Sequence, residues 1–355
     1  MAYPSTPRRA TPGRTMRAAV YRRPRELEIE ERPVPDVGPE DVLVEVSHCG
    51  VCGTDLHLIL EGMGAPDSIP GHEWSGRVVA VGSSVQGLEP GAAVVGGPSV
   101  RCGHCDYCRA GRPSLCTGRL GFDPSHQGAF AEYVRAPAGE LLTVPSGLSL
   151  REAALTEPLT VALHALEVSG IETGQRALVT GAGPIGLLVA AALRAAGVED
   201  VRVSEPGSRR RARAGEVGST RLLVPDELEV PPMPFTIVDD PVDVVFECSG
   251  NPAAMEAALA QLRPMGRLVI VGTGRRRPRF DHNRILMNEL VVTGSYCHGA
   301  GGFERALELL SARALPIDAL IERDDVALGD LLPALEQLAA GELAGKVMIV
   351  PGGER

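Results

Sequence analysis

Short β-branched runs bounded by glycine and proline dominate the chain from Met16 to about Pro145. Val42–Val46, Gly76–Val81 and Ala92–Val95 each predict a strand of a turn-rich β domain. From about Arg176 the pattern changes. Arg176–Thr180 is a compact apolar strand that runs into a glycine turn and an Ala/Leu-rich helix, Ile185–Ala196, and then a second strand, Asp200–Ser204. Strand Asp243–Glu247, helix Pro252–Leu262 and strand Arg267–Val271 continue the alternation. That spacing predicts βαβ units and a parallel sheet. The chain closes with two amphipathic helices, Phe303–Ser311 and Leu328–Ala340, and a strand, Lys346–Val350.

The 355 residues are 44% hydrophobic and 23% charged, a globular balance with length enough for two domains. A net charge of −10 excludes bulk attraction to nucleic acid or to an anionic membrane surface. No apolar run reaches the roughly 20 residues that span a bilayer. Of the 35 basic residues only Lys346 is a lysine. Residues 1–15 are rich in Pro, Arg and Thr without an apolar core, so they predict a disordered extension rather than a signal peptide, with a second plausible start at Met16. A reducing cytoplasmic location follows, in which the eight cysteines are metal ligands or core residues. The run Arg275–Arg279 reads as a solvated loop.

Cys102, Cys105, Cys108 and Cys116 follow C-x2-C-x2-C-x7-C in a glycine-rich stretch. Four thiolates on a short loop can close tetrahedrally round one zinc, and such four-sulfur sites are structural. Two disulfides or an iron–sulfur cluster are the alternatives. A zinc here would pin a loop with almost no apolar residues to pack.

Upstream lie HCGVCGTDLH (His48–His57) and PGHEW (Pro70–Trp74), and downstream TEPLTVALH with Glu157. Taken alone, Cys52 and His72 are buried core residues more readily than ligands. Together with a carboxylate they can make a three-ligand site that leaves one position for substrate.

The ordered set GVCGTDLH, PGHEWSG, the four-cysteine segment, EPLTVALHAL and GAGPIG resembles the zinc-dependent medium-chain alcohol dehydrogenases, from Met16 nearly to the end. The resemblance implies a β-rich GroES-like catalytic domain at 16–157, a doubly wound Rossmann domain at 158–300, and a segment, 301–355, that completes the catalytic domain. By the same resemblance Cys52 and His72 match catalytic zinc ligands. Glu73 matches a neighbouring glutamate that can exchange onto the metal, and Asp55 the carboxylate that orients the zinc-bound histidine. Thr54 matches the hydroxyl that bonds the reacting alcohol and His57 the outer member of a proton relay. Glu157 stands where simple alcohol dehydrogenases have cysteine and polyol dehydrogenases have glutamate, as a direct ligand or one acting through water. Two zincs per chain are implied, one catalytic and one structural.

Gly181, Gly183, Pro184, Ile185 and Gly186 spell GAGPIG between a predicted strand and a predicted helix, the setting in which GxGxxG cradles a pyrophosphate. Glu205 follows Gly186 by 19 residues, where an acid holds the adenosine ribose and repels a 2′-phosphate. That favours NAD, although Arg209–Arg211 follow closely and the family often has a basic residue at Arg210's position.

PGHEWSG, LGF…GAFAEYV, VSEPGSRRRARAGEVGS and ECSGNPAAM are similar to the polyol and cyclitol dehydrogenases, including the sorbitol enzymes and the 2-deoxy-scyllo-inosamine dehydrogenases of aminoglycoside biosynthesis. The implied reaction is oxidation of a secondary alcohol on a polyol or cyclitol to a ketone. The loop Phe122–His126, with Asp123, Ser125 and His126, would face the substrate, and Trp74 either walls the pocket or packs in the core. The resemblance also implies a homodimer or homotetramer pairing through strand Leu290–Gly294. An NADP-dependent simple alcohol or aldehyde reductase is the main rival; a zinc-free reductase of the same fold and a non-catalytic nucleotide-binding protein stand further off.

Overall fold

The computed structural model describes residues 13–97, 102–118 and 127–353. The chain starts with a hairpin, β1 (Thr15–Arg23) and β2 (Glu26–Pro33), whose apolar positions on β1 are buried. It continues through β3 (Asp41–Gly50), β4 (Glu73–Val81), β5 (Ala93–Gly96), β6 (Tyr133–Pro137) and β7 (Leu142–Thr143). β8 (Arg176–Thr180), β9 (Asp200–Ser204) and β10 (Arg221–Leu223) come next, then β11 (Val242–Glu247), β12 (Leu262–Ile270) and β13 (Val291–Gly294). The last two are β14 (Val326–Ala327) and β15 (Met348–Val350).

Two larger sheets organise these strands. A seven-stranded sheet runs β14-β15-β3-β4-β5-β7, with β6 pairing the free stretch of β3. The final strand β15 therefore returns to lie against β3, Met348 opposite Gly50. Val44, Val46, Cys49, Trp74 and Phe130 form one core with Leu335, Leu338 and Ile349 from the end of the chain.

The second sheet is parallel throughout, in the order β10-β9-β8-β11-β12-β13. Chain order runs one way from β8 to β10 and the other way from β11 to β13. The switch therefore falls between β8 and β11, and a doubly wound sheet binds ligands outside the carboxyl ends of the strands at that point. Helices Thr156–Ser169 and Pro184–Ala195 pack in one core with β8, β9 and β11, through Leu159, Leu187, Val189, Val179, Val203 and Phe246.

Most of the expected elements form, and three of the departures have a physical reason. β12 begins at Leu262 rather than Arg267, and its opening residues are irregular, with Met265 at φ +63° and a register shift against β11. Pro264 and Gly266 mask that stretch as a turn in sequence, whereas pairing with its neighbours extends it. Helix Thr156–Ser169 is buried round most of its circumference, so it lacks the one-sided period that announces a helix. The last amphipathic helix begins at Leu331, after a single 3-10 turn over Leu328–Asp330.

β13 is an edge strand, and Val291, Leu286 and Met287 beside it are exposed. Among the described residues no helix is long and apolar enough to cross a membrane.

Candidate active site

The first cluster is built by a turn and two strand ends. Cys52 caps the turn Gly53–Asp55: its sulfur accepts the Thr54 N–H at 3.4 Å, while the Cys52 N–H donates to Asp55 Oδ2 at 2.9 Å. This reciprocal cap turns Asp55 inward, where it is fully buried. The following residues, Leu56–Leu60, form one turn of π-helix that keeps Ile59 inside and leaves His57 partly exposed.

His72 and Glu73 stand at the start of β4. Gly71 before them adopts φ +98°, and a Cβ there would lie 2.7 Å from the Phe130 nitrogen and 3.1 Å from the Cys49 sulfur. Only glycine brings the strand in at this angle. Across the ladder, Gly50 pairs with Glu73, and a Cβ on Gly50 would overlap the Glu73 carboxylate. Glycine therefore leaves room for Glu73 to point across β3.

The outcome is that Cys52, His72 and Glu73 bring one ligand atom each to within 4.8 Å of one another. Glu157, in the first turn of its helix, is buried beside this group and outside the three-residue set. A Cβ on Gly97 would meet both Phe303 and Glu157, which places Phe303 against the same wall. Thr54 Oγ1 is 3.6 Å from Cys52 Sγ, and Asp55 Oδ1 is 3.8 Å from His72 Nδ1.

Lys346 completes the cluster, and no motif announced it. It is 1% exposed, and its ammonium donates to Glu73 Oε1 at 2.8 Å and to the Val51 carbonyl at 3.0 Å. Glu73 Oε2 is an ion-pair contact at 2.7 Å without a directed hydrogen bond. The one available signal was compositional: this is the sole lysine of a chain that otherwise uses arginine.

Charge in this largely buried cluster is strongly perturbed. Burial lowers the His72 pKa, but the neighbouring Cys52 sulfur and the Asp55 and Glu157 carboxylates outweigh it and hold the imidazole well above its usual value. Burial pushes Glu157 up to about 7, against the pull of His72. Burial likewise raises Asp55, partly offset by His72. For Lys346, the Glu73 carboxylate with Cys52 and Glu157 overcomes burial and raises the pKa. One sulfur, one imidazole and nearby carboxylates crowded together, with Asp55 Oδ1 lacking any hydrogen-bond donor, suit a divalent cation of zinc's type.

Cys49 and Trp74 are buried in the apolar core of the seven-stranded sheet. A Cβ on Gly96 would overlap the Trp74 ring, so the indole packs down on β5 rather than walling a pocket. The loop Phe122–His126, with Asp123, Ser125 and His126, lies outside the described residues.

The second cluster gathers Cys102, Cys105, Cys108 and Cys116, again with sulfurs within 4.8 Å. All eight cysteines of the chain are free thiols. Backbone N–H groups point at the sulfurs: Cys102 to Cys116 at 3.3 Å, Cys105 to Cys102 at 3.3 Å, and Cys108 to Cys105 at 3.5 Å. Donation from the Cys108 and Thr117 N–H groups holds Cys105 down at about 5, the thiolate form a metal needs.

The dinucleotide turn follows β8. Gly181 sits at φ +90°, and a Cβ on Gly186 would overlap the Gly181 carbonyl, so helix and strand meet at van der Waals contact. Gly183 precedes helix Pro184–Ala195, Pro184 takes the first helical position, and no side chain caps that N-terminus, whose free N–H groups suit a phosphate. Ile185 lies in the first turn. Glu205, 5% exposed at the end of β9, accepts the Ala182 N–H at 2.8 Å and the Gly207 N–H at 2.9 Å. Arg210 is turned away to the carbonyls of Leu338 and Leu343. Arg211 bonds the Glu205 and Pro206 carbonyls, and Arg209 lies 3.4 Å from Glu322.

The two halves meet at His57. Its Nδ1 is 2.9 Å from Glu61 Oε2, and its Nε2 is 3.0 Å from Thr273 Oγ1, just past β12. That contact brings the metal-side turn to the end of the parallel sheet.

Comparison with known proteins agrees with this fold. Residues 38–146 match the alcohol dehydrogenase GroES-like domain and residues 184–312 the zinc-binding dehydrogenase domain. Sorbitol dehydrogenase of Bacillus subtilis is 34% identical over 95% of this chain and 97% of its own. L-threonine 3-dehydrogenase of Vibrio parahaemolyticus is 32% identical over 89% of this chain and 93% of its own. A zinc-binding dehydrogenase from Sinorhizobium meliloti, solved with NADP, superposes with a TM-score of 0.84 at 33% identity, covering 95% of this chain and all of that one. The chain belongs to the zinc-dependent medium-chain alcohol dehydrogenase family and is an oxidoreductase of that family.

Proposed function

We propose that the protein oxidises a secondary alcohol of a polyol or (amino)cyclitol to the ketone with NAD, at a zinc ion held by Cys52 and His72 with Glu73 or Glu157. The observation that carries this reading is the meeting of Cys52 and His72 with the buried Glu73, beside the buried Glu157. Zinc would supply a Lewis acid that lowers the pKa of the substrate hydroxyl, and NAD the two-electron acceptor. Thr54 is positioned beside Cys52 to take the hydroxyl's hydrogen bond, and His57, on the open side, passes the proton towards solvent. Because His57 Nε2 already meets Thr273, proton release competes with that contact. Cys102, Cys105, Cys108 and Cys116 would hold the second, structural zinc.

For the cofactor, Glu205 in a buried position and the occupied guanidinium groups of Arg210 and Arg211 favour NAD. The NADP-bound relative and the exposed Arg209 favour the second reading, NADP. In this account residues 16–157 with 301–355 form the catalytic unit, residues 158–300 the nucleotide unit, and the exposed edge at β13 the pairing surface of a homodimer or homotetramer. The test is reduction of NAD and of NADP by the zinc-replete protein with polyols, inositols, aminocyclitols, L-threonine and simple alcohols. Turnover confined to polyols or cyclitols with NAD supports the reading; turnover confined to simple alcohols, or to L-threonine, replaces it.

A further inference from the structure

The segment just past β12 carries a concentration of charge that this reaction does not use. Arg275, Arg276, Arg277 and Arg279 are all exposed, in a chain whose net charge is −10. Many of the described arginines elsewhere lie against a carboxylate. Here Arg275 reaches only Glu61, at 3.9 Å, and Arg276 and Arg277 have no acidic partner among the described residues. Three adjacent exposed like charges, of which only Arg275 has an acid near it among the described residues, make a local positive patch that attracts anions.

Their position says which anion. Thr273, two residues before Arg275, touches His57, which is five residues along the chain from Cys52. The root of the segment is rigid: a Cβ on Gly250 would overlap the Thr273 carbonyl, and one on Gly274 would overlap the Gly250 carbonyl. The segment thus begins beside His57, and Arg275 reaches Glu61, the same carboxylate that His57 Nδ1 meets, at the outer end of the turn that carries Cys52. The phosphate-binding turn follows β8 and the ribose carboxylate follows β9, two and three strands from β12. At about 4.8 Å per strand, those sites are roughly 10–15 Å away.

We propose that Arg275–Arg277 bind the anionic end of the substrate, so that the polyol oxidised here carries a phosphate or a carboxylate. The inference rests on the polyol reading of the same site and narrows it. Guanidinium groups match both anions with paired hydrogen bonds, and a neutral polyol has no group that needs them.

The experiment compares D-glucitol, D-glucitol 6-phosphate and D-gluconate in NAD reduction by the zinc-replete wild type and by the Arg276→Gln/Arg277→Gln variant. The expected result is a KM about tenfold or more lower for one of the charged polyols than for D-glucitol, with the charged arm that responds naming phosphate or carboxylate. That advantage falls about tenfold in the variant, and it shrinks as salt is raised, because the contact is exposed. Equal KM values for charged and neutral polyols overturn the inference, as does an advantage that survives in the variant or a rise in KM for NAD instead. If none of the three is oxidised, their carbon skeleton is not the one this site takes, and the polyol or cyclitol reading is decided by the wider panel of alcohols. The inference is then decided by thermal unfolding with D-glucitol 6-phosphate and D-gluconate: stabilisation of the wild type and not of the variant supports it, and no stabilisation of the wild type overturns it.

Discussion

Lys346 and Glu73 form a buried ion pair, Nζ lying 2.8 Å from Oε1 and 2.7 Å from Oε2, with neither side chain more than 1% exposed. The pair joins Lys346, two residues before β15, to the first residue of β4, so it fastens the end of the chain to the candidate metal cluster. Breaking it from one side leaves a carboxylate buried without its cation, which costs about 3–5 kcal/mol. Lys346→Met should therefore lose that much stability in urea denaturation. Adding Glu73→Gln should restore part of it, because the orphaned charge is gone.

Metal content separates the two clusters. The wild type should carry about two zincs per chain. Cys52→Ser and Cys105→Ser should each carry about one, since the clusters share no ligand. Elemental analysis of the dialysed proteins checks this, and Cys52→Ser should keep a wild-type melting profile in its four-cysteine loop.

Gly186→Ala tests the cofactor turn. The added methyl group meets the Gly181 carbonyl and must push helix Pro184–Ala195 off β8. Overpacking of this kind costs about 1–3 kcal/mol. KM for NAD should rise about tenfold, with zinc content unchanged.

A pH effect is expected far from the cleft. Glu152 closes a capping box with Ser149 and pairs with Arg313. The Arg313 hydrogen bond, opposed by burial and aided by Ser149, draws its pKa down from 4.5 to about 2. A carboxyl depressed in the folded state stabilises above its unfolded pKa and stops doing so as pH falls through the folded one. The contribution is thus present above the unfolded value of 4.5 and is lost progressively as pH falls from there through the folded value of about 2. Thermal unfolding of Arg313→Ala should show a lower Tm than wild type at pH 7 and a difference that narrows between pH 4.5 and pH 2.5.

What sequence could deliver depended on distance along the chain. The turn from Gly181 to Gly186 was legible because strand, glycines and helix are contiguous, and β8 and β9 because buried β-branched runs in parallel sheets are short and bounded by turns. Cys102–Cys116 was legible for the same local reason. Helix Thr156–Ser169 was hidden by its nearly uniform burial, and the start of β12 by Pro264 and Gly266. The candidate metal cluster was readable in its residue types but not in its arrangement: motif order left Glu73 and Glu157 as alternatives, while strand pairing brings Glu73 to within reach of Cys52 and His72. Lys346 lies 273 residues from Glu73. No spacing rule reaches across that gap, and only the return of β15 to β3 creates the pair.

The account stands or falls on whether alcohol oxidation takes place at Cys52. The most direct measurement is NADH formation from the preferred polyol by the wild type and by Cys52→Ser, each folded and each assayed after dialysis against zinc. The account predicts NADH from the wild type and a loss of at least about a thousandfold in the variant, because removing a metal ligand removes the Lewis acid. A Cys52→Ser protein that forms NADH at the wild-type rate would contradict it.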